Sequence, residues 1–410
     1  MTDQTTPRRA VAATVLVGAL GYFVDIYDLL LFSIVRVASL RDLGVRGDAL
    51  LDEGLSLLSI QMWGLLLGGV LWGVLGDKRG RLSVLFGSIL IYSIANVANA
   101  YVETVRAYAV WRFIAGVGLA GELGAAITLV SETMPARSRG YGTALVAGVG
   151  LLGAVMAALV GKHFSWRVAY QVGGGLGFAL LIARMSTFES GMFSRVKAQG
   201  DVARGDLTML LRSWPRFKRY ARCVLIGLPI WYVVGILVTA SPEFARAFGA
   251  TGPVSAGDAV LWTYAGLVVG DLSSGVLSQW LQSRKRVVGI YLLLTAVFTA
   301  GYLMLRAPSP ALMYGLCALL GVAIGYWAVF VTIAAEQFGT NLRATVTTTV
   351  PNLVRGSVPI ITLAFVTLRT RLGLGMVWSA AIVGGACFVV AALSLVELDE
   401  TYGKDLDYVE

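Results

Sequence analysis

WRFIAGVGLAGELGAAITLVSETMPARSRG, residues 111–140, decides the fold. It reads as an apolar helix with an arginine near one end (Arg112), a glutamate in its middle (Glu122) and a charged exit (Glu132, Pro135, Arg137, Arg139). Water-soluble helices are not built this way. A lone carboxylate inside about 20 apolar residues belongs to a membrane span and marks a functional position by default. Gly116, Gly118 and Gly121 spell the dinucleotide fingerprint G-x-G-x-x-G, but no strand precedes them and the surroundings are an apolar helix. They read as a surface for close helix packing instead.

The rest of the chain agrees with this stretch. Of its 410 residues, 57% are hydrophobic and 14% charged, against about 25% charged in ordinary soluble domains. One globular core cannot hide that much apolar surface, since single cores stop growing at about 250–300 residues. Apolar runs of about 20 residues recur from end to end, as membrane helices require. The first run is too long for a signal peptide and is interrupted by Asp25 and Asp28, so it reads as the first span. The net charge of +9 is the loop asymmetry that orients a membrane protein, not a nucleic-acid footprint. Cys223, Cys317, Cys387 and the single His163 have no metal-ligand spacing, and no nucleophile–base constellation appears. The expectation is no enzyme, no metal and no cofactor.

Twelve spans are expected, at roughly 10–37, 54–75, 82–101, 107–131, 139–160, 167–185, 220–240, 256–281, 287–305, 311–334, 345–367 and 376–396. They form an all-α membrane protein of two six-helix bundles. The first bundle covers 1–185, a polar linker 186–219, the second bundle 220–396 and a tail 397–410. Loops and tails assigned to the inside hold 21 of the 33 Lys and Arg, and outside loops hold nine. Both termini are therefore expected in the cytoplasm, in a multi-pass protein of the inner membrane. The halves echo each other. Glu132 and Arg139 in the first are matched by Glu336 and Arg343 in the second, 204 residues on (336 − 132). GVLGDKRGR from Gly73 is matched by GVLSQWLQSRKR from Gly275, 202 residues on (275 − 73). Such weak internal symmetry is a mark of secondary transporters.

Gly73–Arg81 (G-V-L-G-D-K-R-G-R) resembles the loop between helices 2 and 3 of the major facilitator superfamily, G-x-x-x-D-[RK]-x-G-[RK]. Arg112-Phe113 with the following glycines and Glu122 resembles helix 4 of its proton-coupled phosphate and metabolite symporters, and Val24–Asp28 (V-D-I-Y-D) resembles their helix 1. Phe188–Phe193 (F-E-S-G-M-F) and Glu400–Lys404 (E-T-Y-G-K) resemble two sugar-porter motifs without their prolines. The resemblance implies two six-helix bundles around a central cavity, alternating access, and a gate built from Gly73, Asp77, Arg81, Arg112, Glu132, Arg139, Glu336 and Arg343. Gln279 stands where the second copy would carry its aspartate.

Candidate residues follow from burial cost. Asp25 and Asp28, three apart near mid-depth of helix 1, are expected on one face and suited to proton carriage. Glu122 and Asp271 are the other mid-span acids and complete the proton-coupling set. Arg112 near the outer end of its helix can snorkel or pair with Asp25 or Asp28. Arg355 near mid-depth offers a planar fork for a carboxylate or phosphate, unless it pairs with Asp271. Tyr326, Trp327, Asn352, Gln61 and Trp231 are placed to line a substrate cavity with it. The expected function is proton-coupled symport of a small organic anion, a carboxylate or sugar acid, by a monomer in the lipid bilayer. The competing reading is a symporter or exporter of a neutral solute, with Arg355 serving only as a structural ion pair.

Overall fold

The computed structural model describes residues 8–79, 81–121, 139–189, 210 and 212–403. Among the described residues the regular structure is helix, with no strand. The first half runs α1 (Arg8–Asp42), α2 (Ala49–Arg79), α3 (Arg81–Asn99), α4 (Val105–Leu119), α5 (Arg139–His163) and α6 (Trp166–Glu189). The second runs α7 (Trp214–Leu225), α8 (Leu228–Tyr232), a π-helix (Val233–Val238), α9 (Ser241–Phe248), α10 (Ala256–Trp280), α11 (Arg284–Leu303), α12 (Pro310–Ile324), α13 (Trp327–Glu336), α14 (Thr340–Arg355), α15 (Val358–Thr370) and α16 (Gly375–Glu397). Among the described residues, eight segments are long and apolar enough to cross a membrane, and Phe86–Asn99 and Gly148–His163 are shorter apolar helices. Helices dominate because a bilayer offers no partner to a free backbone amide or carbonyl.

Local sequence sets the starts. Thr104, Ser255, Ser283 and Ser309 each accept from an amide three residues on, capping α4, α10, α11 and α12. Several helices outrun the expected spans: α1 has 35 residues and α2 has 31, each more than the about 20 needed to cross. The expected bundle edges at 185 and 220 fall inside α6 and α7. Three spans expected as single rods are broken. The seventh is interrupted before Pro229 and widens into the π-helix. The tenth breaks at Gly325–Tyr326, where neither residue has helical backbone angles. The eleventh breaks between Arg355 and Val358, with Pro359 at the restart. Proline cannot supply the amide that a continuing helix needs.

The two ends of the bundle differ. At the proximal end, where α1 begins and α16 ends, Glu400 closes the second half. It accepts from Ser283 Oγ and from the amides of Arg284 at 2.9 Å, Thr401 at 2.9 Å and Tyr402 at 3.1 Å. Burial raises its pKa, but the Ser283 hydroxyl and these amides outweigh that and hold the carboxyl below its ordinary value. At the distal end, Arg167 of α6 gathers the turns of the first half, donating to the carbonyls of Ala100 and Val102 and to Asp42. The amide of Ala307 donates to the carbonyl of Phe248 in the second half, joining two of its distal turns.

Close contacts between helices repeat across the halves. A Cβ on Gly64 would overlap the Phe113 carbonyl, and one on Gly116 the Gln61 carbonyl, so α2 and α4 touch backbone to backbone. In the second half Gly266 meets the Ala318 carbonyl and Gly321 that of Thr263, joining α10 and α12 in the same way. The offsets, 202 (266 − 64) and 205 (321 − 116), are close to the 202 and 204 of the loop motifs. The glycine fingerprint is thus a packing surface: Gly118 likewise lies on the backbone of Tyr92 in α3. Gly116→Ala is expected to lower the melting temperature in detergent, by several degrees for an overpacking cost of about 1–3 kcal/mol. Gly315→Ala, which would meet nothing within 4 Å, is expected to leave it unchanged or slightly raised. Equal melting of the two variants would remove the contact from the account.

Candidate functional site

The halves meet along α1, α2 and α5 on one side and α10, α14 and α15 on the other. Between them at mid-depth lies a small cavity. Tyr22 and Ile26 of α1 and Leu151 of α5 line it from the first half. Ile230, Trp231 and Val234 of the broken seventh span, Tyr264 and Leu267 of α10, Trp327 of α13 and Arg355 of α14 line it from the second. The space open to the centre of a water molecule is about 30 Å³, room for two or three waters at about 10–15 Å³ each. A solute of several heavy atoms enters only if the halves separate.

Arg355 is the cavity's charge. Its side chain is buried, and its Nη1 lies 3.5 Å from Oδ2 of Asp25 on α1. The guanidinium carbon sits 5.9 Å from the Trp231 ring and 5.8 Å from the Trp327 ring, within cation–π range. Trp231 Nε1 is buried with no hydrogen-bond partner among the described residues. An aromatic cage, a guanidinium and a spare indole donor therefore converge on one point. Arg355 does not pair with Asp271, as the structural alternative required. Asp271 Oδ1 instead accepts from the amide of Ala328 at 3.1 Å.

Asp25 and Asp28 lie close together on α1, about 60° apart around its axis, but they meet different neighbours. Asp25 faces the other half, whereas Asp28 points into its own bundle against Gly173 of α6 and Asn96 of α3. Arg112 does not snorkel, because it is fully buried inside the first half. Its Nη2 donates to Gln61 Oε1 and its Nη1 to Tyr170 Oη at 3.3 Å, with Phe32 beneath the guanidinium at 4.8 Å. Its charge interacts with that of Asp28 without a direct ion pair.

Gln61, Asn352 and Tyr326 are engaged away from the cavity lining. Gln61 holds Arg112. Asn352 donates to the Ala120 carbonyl at 3.3 Å across the halves, and Tyr326 donates to the Ile226 carbonyl at 3.0 Å. Of the expected gate, Glu336 binds Arg284 Nη2 at 3.4 Å and Thr401 Oγ1 at 2.7 Å. Glu122 and Glu132 lie outside the described residues, as do the side chains around Gly73, Asp77, Arg81, Arg139 and Arg343.

Residues 18–363 match the sequence profile of the Major Facilitator Superfamily. The chain belongs to that superfamily. It is a multi-pass membrane transporter, not an enzyme, and its twelve-helix architecture is the superfamily's. It is similar to a "Putative metabolite transport protein" of Haemophilus influenzae, 28% identical over 82% of this chain and 84% of the relative. A "Gentisate transporter" of Corynebacterium glutamicum is 26% identical over 95% and 88%. Among solved structures, a D-xylose-proton symporter superposes with a TM-score of 0.70 at 17% identity, over 97% of this chain and all of that one. At that identity the likeness speaks for the fold.

The transporter's distal face is held shut by contacts that sequence reasoning did not pair. Arg36 of α1 is buried and grips Glu243 of α9 with Nη2, at 2.8 and 2.7 Å to the two carboxylate oxygens. It also donates to the carbonyls of Leu50 at 2.9 Å and Thr239 at 3.1 Å. Thr239 Oγ1 donates to Ser33 Oγ at 3.1 Å. Arg369 pairs with Asp52, and Lys162 with Asp258 at 2.8 Å, farther out. Only proximity in space joins residues 36 and 243. Arg36→Gln strands a buried carboxylate, a cost of about 3–5 kcal/mol to the distal-closed form. A Ser33→Cys reporter is expected to be labelled by an impermeant maleimide at least about tenfold faster in that background. Adding Glu243→Gln should restore part of the protection. An unchanged rate would show that the pair does not hold this face.

Proposed function

We propose that this transporter is a proton-coupled symporter of a small organic anion, a monocarboxylate carrying a flat ring. Arg355 binds the carboxylate and Asp25 carries the proton. The observation that carries the reading is the Arg355–Asp25 pair, which joins the two halves inside an aromatic cage. An incoming carboxylate matches the guanidinium fork better than a single 3.5 Å contact does, so it displaces Asp25. The electrostatics then fix the coupling. The empty site holds one cation and one anion. With the substrate bound and Asp25 ionised, the buried site carries one excess negative charge, which is costly in a low dielectric. One proton on Asp25 restores neutrality. Closure around one monovalent anion thus requires one proton, and the halves rock only when the site is empty or doubly loaded. Tyr22, Tyr264, Trp231 and Trp327 favour a planar ring, each such pairing being worth about 0.5–1.5 kcal/mol. The gentisate relative supports this choice, gentisate being a ring carboxylate. The two bundles move as units on the segment between α6 and α7. The distal face is periplasmic, both termini are cytoplasmic in the inner membrane by the positive-inside rule, and one chain suffices as a monomer because it holds the whole cavity.

In proteoliposomes with an inward proton gradient, wild-type protein is expected to accumulate at least one of benzoate, gentisate and nicotinate. Asp25→Asn should keep exchange of that anion while losing accumulation driven by the gradient. Arg355→Gln should weaken binding at least about thirtyfold. Uphill uptake by Asp25→Asn, or anion transport by Arg355→Gln with an unchanged KM, would overturn the reading. So would failure to move all three anions. Robust transport of a neutral sugar by the Asp25→Asn/Arg355→Gln double variant would install the neutral-solute alternative, with the pair as structure.

A further inference from the structure

The break in the tenth span sits against α10. A Cβ on Gly270 would overlap the Val322 carbonyl, and the Gly325 backbone lies directly on that of Gly270. The restarting helix α13 exposes free amides in its first turn. Tyr326, at the cap position, supplies no side-chain bond to them. The next residue after Gly270 does. Asp271 Oδ1 accepts from the Ala328 amide at 3.1 Å, and the Trp327 amide faces the same carboxylate. An acid on one span thus caps a helix on another. Trp327, the first residue of that capped helix, is the one whose indole lines the cavity and stacks near Arg355.

We propose that Asp271 is a positioning residue for the transport site. It fixes the start of α13 from α10 and thereby sets the Trp327 ring over Arg355 and the bound anion. Its task is hydrogen-bond acceptance by one oxygen, and proton carriage is no part of it. The geometry favours this over coupling, because one carboxylate oxygen already accepts from the backbone and the group does not touch Arg355. The negative end of the carboxylate also meets the positive end of the α13 dipole. The neighbouring groups brace the same joint. Tyr291 Oη donates to the Gly270 carbonyl at 3.2 Å and bonds Ser273 Oγ at 2.7 Å, and Tyr326 holds the Ile226 carbonyl from the other side of the break.

The proposal rests on the central cavity being the transport site, and its test has one arm that needs no substrate. In ligand-free protein, the Trp327 signal is isolated as the fluorescence difference between each background and its Trp327→Phe derivative. Asp271→Ala is expected to make that signal more accessible to acrylamide, and Asp271→Asn to return it toward wild type, since asparagine caps as well as aspartate. With the anion that wild-type protein transports, Asp271→Ala should raise KM about fivefold with little change in kcat, the scale of a lost cap. Asp271→Asn should recover most of that affinity and keep the pH profile of accumulation. In a Trp327→Ala background, Asp271→Ala should cost less than about twofold more. Loss of gradient-driven uptake in Asp271→Asn, with exchange retained, would overturn the proposal and return Asp271 to the proton path. An unchanged Trp327 signal in Asp271→Ala would overturn it as well. If wild-type protein moves none of the ring carboxylates, the substrate reading falls, while the fluorescence arm still decides the role of Asp271.

Discussion

A buried arginine in an apolar slab must find oxygen atoms, and the structure follows from where three of them find theirs. Arg112 donates to neutral groups of its own half, Gln61 and Tyr170. Arg36 donates to a carboxylate and two carbonyls, the carboxylate and one carbonyl coming from the other half. Arg355 reaches a single carboxylate across the interface at a longer distance. The three arrangements differ in what they permit. The first makes a bundle rigid. The second favours one docking of two bundles. The third leaves a cation with spare capacity where a solute can reach it, and burying such a charge is tolerable only beside a cavity or counter-ion.

Rigidity within each half comes from a different source. Backbone contacts at Gly64, Gly116, Gly266 and Gly321 lock paired spans together with no side chain between them. The surface between the halves is instead made of side chains, with ion pairs and aromatic rings that can separate without unfolding a helix. Motion is therefore concentrated at that interface, and the breaks at Gly325–Tyr326 and after Arg355 lie beside it. Discontinuous helices are tolerated at membrane depth only where they face protein or a cavity.

Much of this was legible in the sequence, and the failures share a cause. Arg355, Trp231 and Trp327 were readable as cavity residues because a mid-span cation and large aromatics are costly or conspicuous in apolar helices. The internal repeat was readable from two loop motifs, and the glycine contacts carry nearly the same offset. The partners of the charges were not readable. Asp25 and Arg355 are 330 residues apart and Arg36 and Glu243 are 207 apart, and composition carries no record of which face each helix turns to which neighbour. Gln61, Asn352 and Tyr326 are engaged elsewhere in this structure for the opposite reason. A polar group in a span looks like a binding group, but in lipid it is as often taken up by the protein's own backbone and charges. The role of Asp271 depended on a helix break with no proline to announce it.

The distal contacts have one more property. The first half contributes Arg36, Asp52 and Lys162, and the second answers with Glu243, Arg369 and Asp258. Each half carries both signs. A sliding misfit that set Asp52 against Glu243, or Lys162 against Arg369, would bring like charges together and be repelled. These three pairs thus favour the register in which each charge meets its opposite when the halves swing together. Accuracy of closure is set at the rim, so the central chamber is free to exchange its own ion pair for cargo without losing alignment.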